Sequence, residues 1–230
     1  VARLSHIPEF NRTRAWGEPS KESPRFSVRE YVKTVPEVLE QFQIRYTRND
    51  FVNGEPLTPS EQFLQELAFN QQYFDIFASE AIRCQAFIFP VLRESYKRYA
   101  KDYALWIGKS IAYDETLTGT PDYLVSTRAA LGPLLVGHPL IMLVEAKKND
   151  FDMGWGQCLA ELVAAQKIND DADIPVYGIV TDGKSWEFGR LVGDGFTQNI
   201  TPFLLANLPE LFGALNAVFK AATEAATPNA

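Results

Sequence analysis

The sequence predicts an α/β protein: a mixed central β-sheet with helices on both faces, preceded by an N-terminal helical or irregular extension. Three observations predict it. The first is a run of apolar residues at 139–144, continuous rather than alternating, which is the pattern of a strand buried on both faces. The second is the order of patterns along the chain, which reads helices, three strands, a helix, two strands and a helix. The third is the helix between the third and fourth strands, long enough for a right-handed crossover between parallel neighbours. With 230 residues and 46% hydrophobic side chains, the chain can bury a sizeable core.

Residues 1–24 are polar and rich in turn formers, and read as an irregular arm. Residues 26–46 mix β-branched and helical signals around Pro36. Asn53, Gly54, Pro56 and Pro59 mark residues 49–59 as a loop. A helix is predicted from Ser60, with Pro59 in its first turn and Thr58 as cap; Phe63, Leu64, Leu67 and Phe74 recur near helical spacing. A second helix is predicted over 75–99, kinked or divided at Pro90. Arg93, Lys97 and Lys101 would form one basic stripe on it, either a solvated face or a phosphate-tracking one.

Strands are then predicted over 103–112, 121–127 and 139–147, with a turn over 115–119. A helix over 155–166 presents Leu159, Leu162 and Val163 on one face. Strands over 175–181 and 186–191 join through Asp182-Gly183, a hairpin turn pair. A last helix spans 209–222 and residues 223–230 read as a flexible tail. The division that follows is an extension at 1–74, a main domain at 75–222 and the tail.

Composition narrows the chemistry. Only His6 and His138 are present, so a three-histidine metal site is excluded. Cys84 and Cys158 form no C-x-x-C pair and read as small buried side chains. Metal chemistry must therefore use oxygen ligands, which suits magnesium, manganese or calcium. A net charge of -7 argues against coating nucleic acid by bulk electrostatics, but not against a locally positive cleft. No apolar run is long enough to cross a bilayer, and residues 1–10 hold no apolar signal core, so a cytoplasmic protein without a membrane segment is expected.

The third strand carries the informative residues. Charges follow its apolar run at once, at Glu145, Lys147 and Lys148. Side chains alternate along a strand, so Glu145 and Lys147 leave on the same side while Ala146 faces the other way. Asp122 opens the preceding strand after Pro121. If the two strands are antiparallel neighbours, Asp122 falls beside Glu145. Two carboxylates brought together repel unless a cation sits between them, so the pair suits a hard divalent ion. Such an ion can polarise a water and neutralise a phosphate oxygen, while Lys147 orients the water or stabilises the transition state: the chemistry of phosphodiester hydrolysis. Plainer roles exist for each residue. Asp122 could cap a turn, Glu145 could be the ion-pair partner of Lys147 or Lys148, and Gln157 and Glu80 could be solvated helix residues.

Pro121-Asp122, then Glu145-Ala146-Lys147, then Gln157 on the following helix resemble the PD-(D/E)XK nuclease superfamily, the restriction-endonuclease-like fold. Ser79-Glu80-Ala81-Ile82-Arg83 and the Thr181-Asp182-Gly183 turn before Trp186-Glu187-Phe188 are most similar to the nuclease domain of type I restriction R subunits. Some relatives carry a tyrosine four residues after the glutamine, where this chain has Glu161. The resemblance spans residues 80–191. It implies a metal-dependent endonuclease acting on DNA, in restriction or repair, with RNA as an open second substrate. Glu80, Asp122, Glu145 and the Ala146 carbonyl would hold Mg2+, or Mn2+ in its place. Lys147 would be the catalytic lysine, and Gln157 would position substrate or Lys147. A homodimer would cut two strands. The alternative is a catalytically weak or inactive module of this fold that binds a protein or nucleic acid partner.

Overall fold

The computed structural model describes residues 34–76, 78–147 and 150–227, within the unit Tyr31–Ala230. The predicted arm at 1–24 and Lys148 lie outside the described residues. The elements in chain order are α1 (Val35–Phe42), β1 (Arg45–Arg48), α2 (Glu61–Tyr73), α3 (Glu80–Ile82), a π-helical stretch (Arg83–Ile88), α4 (Phe89–Tyr96), β2 (Tyr103–Ile107), β3 (Ile111–Ala112), β4 (Thr118–Gly119), β5 (Tyr123–Arg128), β6 (Val136–Ala146), α5 (Phe151–Asn169), β7 (Val176–Thr181), β8 (Ser185–Val192), β9 (Gly195–Gln198), β10 (Phe203–Leu204) and α6 (Leu208–Ala226).

The α/β class and the mixed sheet are as the sequence predicts. Among the described residues the sheet has eight strands, ordered β1-β9-β8-β7-β6-β5-β2, with β10 paired to β8. β6 and β7 are parallel and joined by the crossover helix α5, while β5 with β6 and β7 with β8 are antiparallel. Gly183 makes the β7–β8 turn at φ +87°, a conformation that favours glycine. Alternation along β6 from Met142 onward sorts the sheet's two faces, and a register shift in the β5–β6 pair before Met142 puts Leu140 on the same face as Leu143. Met142, Val144 and Ala146 pack against α2, the π-helical stretch, α4 and α6, among Phe63, Ile88, Val91 and Phe212. Leu140 and Leu143 pack against α1 and α5, among Val38, Cys158, Leu159 and Leu162.

Several boundaries differ from those the sequence predicts, each for a local reason. The cap of α2 is Ser60, not Thr58: its Oγ accepts the Phe63 amide at 3.3 Å. The helix predicted over 75–99 begins at Glu80 and ends at Tyr96, and it is not divided at Pro90: the backbone stays helical there and changes from π-helical to α-helical turns at Ile88–Phe89. The basic stripe does not form. Arg93 pairs with Glu66 at 2.9 Å, Lys97 pairs with Glu94 at 2.6 Å, and α4 ends before Lys101. The strand over 103–112 stops at Ile107, because Gly108 turns at φ +56°; Ile111–Ala112 then pairs with Thr118–Gly119 as a separate small ribbon. Finally, α6 runs on to Ala226, so the predicted tail is helical at its start.

Residues 34–74 contribute to the same framework. β1 lies parallel to β9 at the sheet edge, where Arg45 pairs with Asp194. Loop residues 51 and 52 donate their amides to the buried Asn199 side chain at 2.9 and 3.0 Å. No helix of the described residues is long and apolar enough to cross a membrane.

Candidate active site at the β5, β6 and α5 junction

Strand alternation positions the site. In the antiparallel β5–β6 pair, Tyr123 lies opposite Val144, so Asp122, just before β5, arrives next to the end of β6. Tyr123 points to the α4 face, where its hydroxyl donates to the Cys84 carbonyl at 3.2 Å. Asp122 therefore leaves toward α5, as do Glu145 and Lys147, which share the parity of Leu143. The Asp122 Oδ2 accepts the Ala146 amide at 2.7 Å, tying the carboxylate to the Glu145–Ala146 peptide. The Ala146 side chain is buried on the opposite face.

α5 supplies the other wall. Asp150 caps it, accepting the Met153 amide at 3.0 Å. Gly154 lets the helix approach β6: a Cβ there would stand 2.8 Å from the Lys147 Cγ. Lys147 Nζ then reaches two partners, donating to Gln157 Oε1 at 2.9 Å and pairing with Glu145 Oε2 at 3.1 Å. One turn further along α5, Glu161 faces Gln157, whose Nε2 lies 3.5 Å from Glu161 Oε1, and abuts Glu145.

The electrostatics are those of a crowded, dry acid cluster. Glu145 is 1% exposed and Glu161 is 3% exposed. Burial pushes the Glu145 carboxyl upward, against the lowering effects of its contacts with Glu161 and Lys147, and Asp122 adds to the rise. Burial, then the charge of Glu145, drives Glu161 well above the usual carboxylate range. Burial works to lower the Lys147 ammonium, but Glu145, Asp122 and Glu80 together hold it above its usual value. Glu145 Oε1 and Glu161 Oε2 have no hydrogen-bond donor, so the abutting pair calls for a proton or a cation.

The structure thus brings together Asp122, Glu145, Lys147 and Gln157. Glu80 stands apart. It opens α3 on the exposed surface and reaches the group only through its charge, felt by Lys147 and Cys84. Among the described residues, no three His, Cys, Asp or Glu side chains are placed to hold one metal ion. A hollow of about 350 Å³ beside Trp106 and Arg128 contains none of these residues. Sequence reasoning missed Glu161, although a signal existed: it is the one charged residue between Gly154 and Ala165. A scan against family models finds none that matches the chain, and a search of curated proteins finds no match either.

Proposed function

We propose that the chain is a magnesium-dependent endonuclease of restriction-endonuclease-like fold that hydrolyses phosphodiester bonds of DNA in the cytoplasm. The observation that carries the reading is the convergence of Asp122, Glu145 and Lys147 at the mouth of α5, the acid–acid–lysine set that such chemistry needs. The donor set suits a hard cation. Three carboxylates (Asp122, Glu145 and Glu161) face one ammonium, and Glu145 Oε1 is a buried oxygen without a donor. Magnesium is commonly held by one or two carboxylates plus water and substrate phosphate, so three protein acids at one point are not required.

Asp122, Glu145 and the Ala146 carbonyl would hold the ion; Glu80 would contribute charge from the rim. An ion held there would supply positive charge to a phosphate oxygen and lower the pKa of a water. Lys147, already fixed by Gln157, offers its ammonium to the negative charge that builds as the phosphate is attacked. Gln157 holds Lys147 rather than substrate. Because these contacts address phosphates, RNA remains a second substrate class. Two copies acting together would cut both strands.

Conversion of supercoiled plasmid in Mg2+ tests the reading. Lys147→Met, which keeps the side-chain stem, should lose about 10²–10³-fold in rate, the scale of removing one preorganised charge donor. Equal cutting by wild type and variant would sink it. One observation favours a second reading, a nuclease-fold module that binds a protein or nucleic acid partner without cutting. Lys147 already pairs with Glu145, and the Ala146 amide already engages Asp122. A wild-type chain that binds DNA but never nicks it would favour that module.

A further inference from the structure

We propose that Glu161 is the positioning residue of the site: it fixes the Gln157 amide and the Glu145 carboxyl, and through both it holds the Lys147 ammonium in place. The use made of that lysine rests on the nuclease reading above; the contacts among these side chains do not.

The ring closes through four side chains. Lys147 touches Gln157 Oε1 at 2.9 Å and Glu145 Oε2 at 3.1 Å, Gln157 Nε2 lies 3.5 Å from Glu161 Oε1, and Glu161 abuts Glu145. An amide has two unlike ends. For Gln157 to present its oxygen to an ammonium, its NH2 must point to an acceptor, and Glu161 supplies one at i+4 on the same helix. Without Glu161 the Gln157 NH2 loses that acceptor, and the amide is no longer held from behind against Lys147. Glu145 would lose its neighbour at the same time.

The surroundings are shaped for this glutamate. A Cβ at Gly119 would stand 2.5 Å from Glu161 Oε1 and 2.6 Å from its Cγ, so β4 makes room that any larger residue would remove. A leucine at 161 would match the apolar neighbours Leu162 and Leu159 at lower desolvation cost. The carboxyl is kept in a dry place where packing alone does not call for it.

The test reads the lysine directly. The folded full chain is treated briefly with acetic anhydride, and acetylation is mapped by mass spectrometry. Lys147 should react slowly in wild type compared with the exposed Lys220. Glu161→Gln, which keeps an oxygen for Gln157 and a donor for Glu145, should preserve that protection. Glu161→Leu should speed Lys147 acetylation about tenfold, the scale of one lost charge-assisted hydrogen bond, while Lys220 is unchanged. If the leucine variant fails to fold, Glu161→Ala takes its place. Equal Lys147 reactivity in wild type, Gln and Leu variants would overturn the proposal. A wild type that nicks no plasmid, in a chain whose Lys147 is released by Glu161→Leu, would keep the positioning role and remove the nuclease reading.

Discussion

Glu161 lies against Glu145 in the dry space between α5 and β6, and each keeps one oxygen without a donor. Two buried carboxyls in contact disfavour the charged form of each, and this has a measurable consequence for stability. Both carboxyls titrate above their ordinary range, chiefly through burial. The native state therefore holds a proton that the unfolded chain releases near pH 4.5, the ordinary glutamate value. In that window the native state binds more protons than the unfolded one, so stability falls as pH rises from about 4.5 toward the native value. Glu161→Gln removes the penalty. Its melting temperature should match wild type at pH 4 and exceed it at pH 8, by about 2–4 °C per kcal/mol relieved. A wild-type advantage at pH 8 would contradict this.

Gly119 should be intolerant of a side chain. A Cβ there meets three atoms of Glu161 at 2.5 to 2.9 Å, and Glu161 is buried. Gly119→Ala should cost about 1–3 kcal/mol, the usual penalty for overpacking, read as a shift in urea midpoint. In Gly119→Ala/Glu161→Ala the two effects should be far from additive, because the second change removes the clash. Additive costs would show that the two residues do not meet.

Asn199 holds the loop at 49–59 to the sheet. It is 4% exposed, accepts the Phe51 and Val52 amides, and donates to the Thr201 carbonyl at 2.8 Å. Asn199→Ala strands two backbone donors and should cost about 2–6 kcal/mol, since each buried unpaired group costs about 1–3. A loss below about 0.5 kcal/mol in chemical denaturation would place those amides in contact with water instead.

What the sequence discloses and what it hides have physical causes. The Leu140–Val144 run marked β6 as buried, and antiparallel pairing then brought Asp122 to Glu145 without long-range information. The Gly183 turn was readable because it needs only two adjacent residues. β1 was not readable: its four residues are all exposed, and its partner β9 lies far along the chain. β3 and β4 are two residues each, too short for periodicity to register. Glu161 was visible as a lone charge in an apolar stretch, but its burial was not. Most of α5 is buried, so its pattern marks no solvent face that would say whether that acid is exposed or buried. The basic stripe failed because Glu66, whose partnership with Arg93 no local pattern announces, lies on another helix.

Everything in the catalytic reading depends on a divalent ion settling at Asp122 and Glu145. Calorimetric titration of the wild-type chain with Mn2+ measures that most directly, with Asp122→Asn and Glu145→Gln as comparisons. The expected result is saturable binding by wild type and a loss of at least about tenfold in affinity in either variant, the scale of one charged ligand removed. Absence of saturable binding by wild type, or equal affinity in all three proteins, would contradict it.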